Sequence, residues 1–415
     1  MKKKIWIINH YATRMYMNKG GRHYWFAKEL LKRGYEPTII CANTYHNSKN
    51  YEDTGNEKYI VKDVDGIPFV FVKTKSAVTN GLDRIINMLG FYRNLFPVSK
   101  TLVKKYGKPD IILASSVHPL TMVAGIKIAR KIKVPCICEI RDLWPESLIA
   151  YGMLRKGSLL SILLYEGEKW IYKKADAIIM TWEGGKQYII DQKWDNKVQL
   201  DKIFHITNGV DLEQYYENIK LYDYKDIDLD DKSIFKLVYA GSIRKVNNLS
   251  FLLEVAKSLL DYSNIKFIIF GSGDQLEILK DRAKNEIITN ITFKGFVEKK
   301  YIPSVLSKAD VNILHNSSTS LDKYGQSQNK LFEYLASGKP IIQTYKTEYS
   351  LFEKYNCGIN CEEQSVECVK SHILRLINDN LLYETIGSNA KKIVENYDFK
   401  RHTDKLENII TDLLQ

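Results

Sequence analysis

Short runs of unalternating apolar residues recur along the chain, each followed by a stretch with helical spacing. In the first half the runs are KIWIINH (4–10), TIICAN (38–43), PFVFVKT (68–74), DIILASS (110–116), PCICEIRD (135–142), AIIMTW (177–182) and FHITNG (204–209). In the second half they are FKLVYAGS (235–242), IKFIIFGSG (265–273), ITFKGF (291–296), DVNILHN (310–316) and PIIQTYK (340–346). Amphipathic segments such as RHYWFAKELLKRG (22–34), LTMVAGIKIARKIK (120–133) and NLSFLLEVAKSLLD (248–261) lie between them. Strands that are apolar on both faces and alternate with helices predict parallel sheets in an α/β architecture. The series breaks once, at LEQYYENIKLYDYKDIDLDDKSI (212–234), which is acidic and tyrosine-rich. That stretch predicts an exposed interdomain connection. The expected organisation is a doubly wound domain over 1–208, a connection over 209–234 and a second such domain over 235–399. A final helix at about 400–415 is expected to be able to pack back on the first domain. Ligands of such folds bind beyond the carboxyl ends of the strands, in the cleft expected between the two domains.

Length agrees, since 415 residues exceed one ordinary core. With 45% hydrophobic and 27% charged residues the composition is globular. No apolar run reaches the roughly 18 residues that span a bilayer. The opening MKKKIWIINHY has only IWII as an apolar stretch, too short for a secretory leader, and reads as a first strand. The cysteines at 41, 136, 138, 357, 361 and 368 form no CxxC pair. They read as small core residues in a reducing cytosol. Charge is divided unevenly: residues 1–200 carry a net +15 and residues 201–415 a net −3. The basic half predicts an anionic partner. No nucleic-acid-binding motif accompanies it, so an anionic membrane surface is favoured over nucleic acid.

Chemistry concentrates where the second-half strands end. In KLVYAGSIRKVNN (236–248) a Gly-Ser turn is followed by Arg244 and Lys245 before a helix, an arrangement suited to phosphate. FGSGDQ (270–275) repeats the glycine-rich turn at Gly271 without the third glycine of a dinucleotide fingerprint. YGQSQNKLFEYLASGKPI (324–341) predicts a short helix that Ser327 or Asn329 caps and Gly338 ends. Leu331, Tyr334 and Leu335 share its buried face, leaving Asn329, Lys330 and Glu333 on the other. A carboxylate for vicinal hydroxyls beside a phosphate-seeking lysine suits a nucleotide's ribose and diphosphate. The plainer reading is an i,i+3 Lys330–Glu333 ion pair on a solvated face.

Several ordered segments together resemble the retaining family-4 glycosyltransferases of GT-B fold: EIRDLWPESL (139–148), HITNGVDLEQY (205–215), YAGSIRK (239–245), FGSGD (270–274), FKGFVEKKYIPSVLSKADVNIL (293–314) and NKLFEYLASGKPI (329–341). Within that family the chain is most similar to the bacterial surface-polysaccharide branch that includes N-acetylfucosaminyl-type transferases. The resemblance implies transfer, with retention, of a hexose or N-acetylhexosamine-type sugar from a nucleotide sugar, UDP by preference. The implied acceptor is a saccharide or a polyprenyl-diphosphate-linked sugar, in capsule, O-antigen or exopolysaccharide synthesis. Glu333 matches the second glutamate of the family's E-x7-E motif and would hold the ribose. Arg244 or Lys245, with Lys330, would neutralise the diphosphate. The backbone at Phe296 and Val297 would hold the nucleobase. Gly20 and Gly21 would approach donor phosphates and sugar. His118 matches the family's active-site histidine, and Arg141 and Asp142 would face the same cleft. Gly325 stands where the first glutamate of E-x7-E is expected, which leaves the sugar's contacts undetermined.

No DxD falls where a metal–diphosphate site needs one, since Asp63-Val64-Asp65 lies in an apparent turn and Asp226-Ile227-Asp228 in the connection. The expected leaving-group stabilisation is therefore cationic, with no metal and no cofactor. His118 and Asp142 have structural readings beside the catalytic ones, Asp142 as the N-cap of a helix opening at Pro145 and Glu146. Residues 81–108 interleave Ile, Leu, Phe and Tyr with Arg and Lys. They suit an amphipathic segment on an anionic bilayer, at the cytoplasmic face of the cell membrane, or else a helix pair packed on the sheet. The rival functions are a nucleotide-sugar 2-epimerase of the same architecture and a basic nucleic-acid binder.

Overall fold

A computed structural model describes residues 2–46, 48–77, 81–116 and 118–415. The chain forms two compact units, Met1–Thr207 with Phe399–Gln415, and Asn208–Asp398. The first unit is built on β1 (Lys4–Ile8), β2 (Glu36–Ala42), β3 (Tyr59–Val64), β4 (Ile67–Val72), β5 (Ile111–Ser115), β6 (Cys136–Ile140), β7 (Ala177–Met180) and β8 (Ile203–His205). Its helices are α1 (Thr13–Asn18), α2 (Arg22–Lys32), α3 (Leu82–Tyr106), α4 (Pro119–Ile132), α5 (Glu146–Ala150), α6 (Leu159–Lys174) and α7 (Gly185–Asp191). The strands lie in the order β3-β4-β2-β1-β5-β6-β7-β8. They are parallel except for the β3–β4 hairpin, whose two-residue turn, Asp65-Gly66, takes positive φ at both positions. β3 has no counterpart among the expected strands. Its Val61, Lys62 and Asp63 are exposed on the sheet edge, so it lacks the apolar signature of the buried strands.

The 81–108 segment is one helix, not a helix pair. Phe91, Leu95, Val98 and Leu102 of α3 are buried, while Leu82, Ile85, Ile86 and Leu89 form an exposed stripe at i, i+3, i+4, i+7 spacing. α4 packs against both α3 and α6. The start of α6 also exposes Leu159, Leu160, Ile162 and Leu163, with Met153 just before it.

The second unit holds β9 (Phe235–Ala240), β10 (Ile265–Phe270), β11 (Ile291–Gly295), β12 (Val311–Leu314), β13 (Ile341–Gln343) and β14 (Ile359–Asn360), ordered β11-β10-β9-β12-β13-β14 and parallel throughout. Its helices are α8 (Leu212–Leu221), α9 (Ile227–Asp230), α10 (Ser250–Ser258), α11 (Leu276–Asn285), α12 (Ile302–Ser307), α13 (Asn329–Ser337), α14 (Leu351–Tyr355), α15 (Val366–Asn378) and α16 (Asn380–Ile393). The expectation of an exposed connection over 209–234 is corrected. This stretch belongs to the second unit, where Leu212, Tyr215 and Leu229 enter the core beside Leu331 and Val305. Leu212, Tyr215, Tyr216 and Ile219 supply the helical period that acidic and tyrosine residues obscured. The last helix, α17 (Phe399–Leu414), packs on α2 in the first unit through Phe399, Leu406, Ile409 and Ile410. Arg33 adds ion pairs to Asp404 (2.8 Å) and Glu407 (2.7 Å). Among the described residues no helix is long and apolar enough to cross a membrane.

Candidate functional site

Parallel strands put all their carboxyl ends on one edge of each sheet, and both units gather polar side chains there. In the first unit β5 runs out at Ser115, and His118 caps the start of α4. The ring of His118 is buried, with Nε2 2.6 Å from Nδ1 of His10, which follows β1. His10 in turn stacks on Phe91 of α3 at 4.4 Å. Burial pushes His118 down to about 4, and burial with the charges of His118 and Arg84 pushes His10 well below the usual range. Both rings are therefore neutral at pH 7, one donating and the other accepting. His118 Nδ1 and His10 Nε2 have no hydrogen-bond partner among the described residues. A neutral imidazole with a free nitrogen can accept or donate one proton.

Behind this pair lies a network that the sequence reading missed. Glu139, at the end of β6, is fully buried and pairs with Arg22 Nε at 2.7 Å and His23 Nε2 at 2.8 Å. Ser115 Oγ donates at 2.6 Å to Oε2, the oxygen that also meets His23. Arg22 also donates to the carbonyls of Ile206 (2.8 Å) and Thr207 (2.5 Å). Burial alone would raise the Glu139 carboxyl, but Arg22, His23 and Arg141 hold it well below the carboxylate range. The network fixes the first turn of α2. Gly20 and Gly21 precede that turn, separated from β1 by α1, and no side chain caps α2. Gly21 sits at φ 112°, a conformation that favours glycine.

Arg141 and Asp142 follow β6. The Arg141 N–H donates to Ser116 Oγ (2.9 Å), and its Nε has no partner among the described residues. Asp142 is exposed and does not cap α5, whose N-cap is Pro145. The first unit thus brings His118, Arg141 and Asp142 to adjacent strand ends, β5 and β6.

In the second unit α13 is fastened to the end of β9. The Tyr334 hydroxyl donates to the Ala240 carbonyl (3.1 Å) and accepts the Ala240 N–H (2.9 Å). That anchor sets Lys330 over the Tyr239 ring, 4.5 Å from its centroid, with Nζ donating to the His315 carbonyl at 2.8 Å. Crowding by protein pushes the Lys330 ammonium down to about 7. Its surface is still partly open, so an arriving anion would restore the charged form. Arg244 and Lys245 continue the same strand end and are exposed, with no ion pair among the described residues. Arg244 is the N-cap of a single 3₁₀ turn that Lys245 opens, Lys245–Asn247, and α10 begins only at Ser250.

Gly271 and Gly273 serve loop-on-loop packing. A Cβ on Gly271 would overlap the Gly241 carbonyl, and one on Gly273 would overlap that of Ile243. The two turns are tied by Ile243 N–H to Ser272 O (2.9 Å) and Gln275 N–H to Ile243 O (3.1 Å).

Several expected roles change in detail. Neither Ser327 nor Asn329 caps α13: its N-cap is Gln328, with no side-chain cap, and the exposed Asn329 is the first helical residue. Ser327 Oγ accepts the Asn208 N–H instead (2.9 Å). The first N–H groups of α13 consequently lack a side-chain partner. Glu333 does not pair with Lys330. Its carboxylate meets Lys299, which sits past β11 and was not anticipated. Phe296 presents an exposed ring (72%), whereas Val297 and Leu331 turn their side chains into the core, so only their backbones can serve a ligand. Gly325 takes φ 90° as the C-cap of the 3₁₀ turn Asp322–Tyr324, a geometry that suits glycine better than the expected glutamate.

Comparison with known proteins fits this geometry. Residues 24–214 match the family Glycosyltransferase Family 4, and residues 225–393 match Glycosyl transferases group 1. An uncharacterized glycosyltransferase of Methanocaldococcus jannaschii is 28% identical over 253 residues, 59% of this chain and 61% of the relative. The alpha-monoglucosyldiacylglycerol synthase of Streptococcus pneumoniae is 26% identical over 328 residues, 76% and 65%. The matches thus span under two thirds of each relative's length. Among solved structures, sucrose-phosphate synthase of Thermosynechococcus elongatus superposes with TM-score 0.73 at 14% identity, covering 99% of both chains. Anabaena HepE in complex with UDP-glucose gives 0.67 at 13%, again covering 99% of both. A putative UDP-N-acetylglucosamine 2-epimerase of Listeria monocytogenes gives 0.60 at 10%, covering 99% of this chain and 96% of that one. Matched in succession by these two family models over most of its length and built on two parallel-sheet α/β domains, the chain belongs to the family-4 glycosyltransferases of GT-B fold.

Proposed function

We propose that the protein transfers a hexose or N-acetylhexosamine-type sugar, with retention, from a nucleotide sugar to a lipid-linked or saccharide acceptor. The observation that carries the donor half is the gathering of Lys330, Arg244, Lys245 and the uncapped start of α13 at the strand ends of the second unit. Cations and a helix start without a side-chain cap suit a diphosphate and need no metal to stabilise it as it departs. Glu333, one turn along α13, is the ribose acceptor in this reading. The diphosphate would take Lys330 while the two ribose hydroxyls displace Lys299 from Glu333. UDP is the preferred nucleotide, in keeping with the UDP-glucose complex of HepE. His118, Arg141 and Asp142 serve the sugar and acceptor, and Gly20 and Gly21 the donor phosphates.

A lipid-carried acceptor at an anionic membrane is favoured by the two exposed apolar stripes on α3 and α6. Both stripes lie at helix starts, the ends nearest the strand carboxyl edge where His118 and Arg141 sit. The basic balance of the first half and the glycolipid-synthase relative support the same choice. Surface-polysaccharide synthesis is the proposed setting.

Thermal-shift screening against nucleotides and nucleotide sugars tests the core claim. UDP or a UDP-sugar should raise Tm by several degrees, and Glu333→Ala should lose most of that shift; stabilisation by no nucleotide would overturn the reading. A second reading, nucleotide-sugar 2-epimerase, is kept because of the epimerase neighbour. Incubation with UDP-N-acetylglucosamine alone separates them, since an epimerase yields a new sugar epimer without any acceptor.

A further inference from the structure

Away from the donor residues, at the β14 edge of the second sheet, three soft donors converge. Cys361 follows β14 directly, and its N–H donates to the Gln343 carbonyl at 2.9 Å, which fixes the strand end. Cys368 and His372 stand four residues apart on α15, so both face the same side of the helix. The first turn of α15 is held by Ser365, whose Oγ accepts the Cys368 N–H at 3.3 Å. Cys361 Sγ, Cys368 Sγ and a ring nitrogen of His372 all lie within 4.8 Å of one another. Neither cysteine is in a disulfide, and the His372 ring makes no hydrogen bond among the described residues. Cys361 is buried, while Cys368 and His372 are half-buried.

We infer that Cys361, Cys368 and His372 form a binding site for a thiophilic divalent cation, Zn²⁺, that staples the end of β14 to α15. Two thiolates and an imidazole are the donor set that borderline-soft ions select over Mg²⁺ or Ca²⁺, which take oxygen. Zn²⁺ holds sulfur at about 2.3 Å and nitrogen at about 2.0–2.1 Å in a tetrahedron. The three donors therefore need only side-chain adjustments of the order of an ångström to close on it. Two cysteine thiols give up their protons to solvent as the two Zn–S bonds form, leaving the first shell neutral. A fourth position of the tetrahedron would be left for water. The Cys-x6-Cys-x3-His spacing escapes a search for CxxC pairs because one ligand comes from a strand end and two from a helix. The site is distinct from the proposed donor residues, so its fate is independent of the transferase reading.

Cobalt titration of the reduced full-length protein tests the site. One Co²⁺ per chain should produce a thiolate-to-metal charge-transfer band and the visible bands of a tetrahedral complex, and Zn²⁺ should erase both. Cys368→Ser should weaken Zn²⁺ binding by at least about tenfold and diminish the charge-transfer band. His372→Asn should weaken binding similarly while keeping a thiolate band, and it remains decisive if the serine variant does not fold. Zn²⁺ should also shield thiols from a thiol-reactive dye in the wild type and not in Cys368→Ser. The inference fails if folded, reduced protein gives no thiolate–cobalt band. It fails equally if the band is unchanged in both variants, which would place the metal on other cysteines, or if Cys361 and Cys368 are recovered as a disulfide that excludes metal.

Discussion

The two strand-end clusters hold their charges in opposite ways. In the first unit Arg22, Glu139, His23, His10 and His118 are all buried, and each is oriented by a partner before any ligand arrives. In the second unit Arg244 and Lys245 are exposed, Lys330 is partly open, and Glu333 is occupied by a solvent-reaching lysine. The first cluster is pre-organised, and its cost of desolvation is offset by internal pairing. The second is a set of charges that only a polyanion would complete. A substitution in the first unit should therefore register mainly in stability, and one in the second mainly in binding. All six tryptophans (6, 25, 144, 170, 182 and 194) lie in the first unit, so selectively excited tryptophan fluorescence reads that unit's unfolding.

The largest effect should come from Glu139→Gln. It keeps side-chain volume but leaves the buried Arg22 guanidinium without its counter-charge, for which about 3–5 kcal/mol is expected. Urea unfolding followed by tryptophan fluorescence should show that loss. A change below about 1 kcal/mol would mean that the carbonyls of Ile206 and Thr207 suffice for Arg22, and the contrast between the units would collapse.

Next in size is Lys330→Met. Removing one charge-assisted contact should weaken UDP binding by roughly 10- to 100-fold by calorimetry. Whole-chain urea unfolding followed by far-ultraviolet circular dichroism, which also reads the second unit, should keep its midpoint. If that midpoint moved as far as it does in Glu139→Gln, the lysine would be structural and the comparison would lose its second half.

These two residues also mark what was readable in advance. The fold was legible because a parallel strand buried on both faces leaves a plain apolar run, as in IKFIIF of β10. The edge strand β3 and the two-residue β14 lack that run, and α8 hid its period among acidic and tyrosine residues. Within the site, Lys330 and Glu333 could be placed on one helix because i,i+3 spacing is local. Their actual partners, the His315 carbonyl and Lys299, could not, since strand order rather than spacing brings those segments together. Glu139 was overlooked for the same reason. It sits inside the apolar run CICEI, and the residues that explain it, Arg22 and His23, are more than a hundred positions away.

The smallest effect, and the finest probe of the first unit's buried cluster, is its response to acid. His118, His10 and His23 have folded pKa values below the usual imidazole range, chiefly through burial. The unfolded chain then binds more protons than the native one as pH falls below about 6.5, so stability declines from there toward the folded value of about 4 for His118. Glu168 works the other way. It accepts hydrogen bonds from Tyr172 (2.6 Å) and Tyr188 (2.7 Å), and burial raises it to about 8. Its native proton stabilises the fold below about 4.5, and that contribution fades as pH climbs toward 8. Between about 4.5 and 6.5 the two slopes oppose each other, but three histidines outweigh one carboxyl, so the wild-type midpoint should fall with acid, less steeply than the histidines alone would make it. Glu168→Gln removes the opposing slope and should deepen the fall between pH 6.5 and 4.5 by about 1–2 kcal/mol relative to wild type. His118→Gln should instead make the first unit more stable toward acid relative to wild type. Identical pH profiles for both variants and wild type would mean that these groups titrate alike in folded and unfolded chains, and that the pre-organisation of the first unit rests on Arg22 and Glu139 alone.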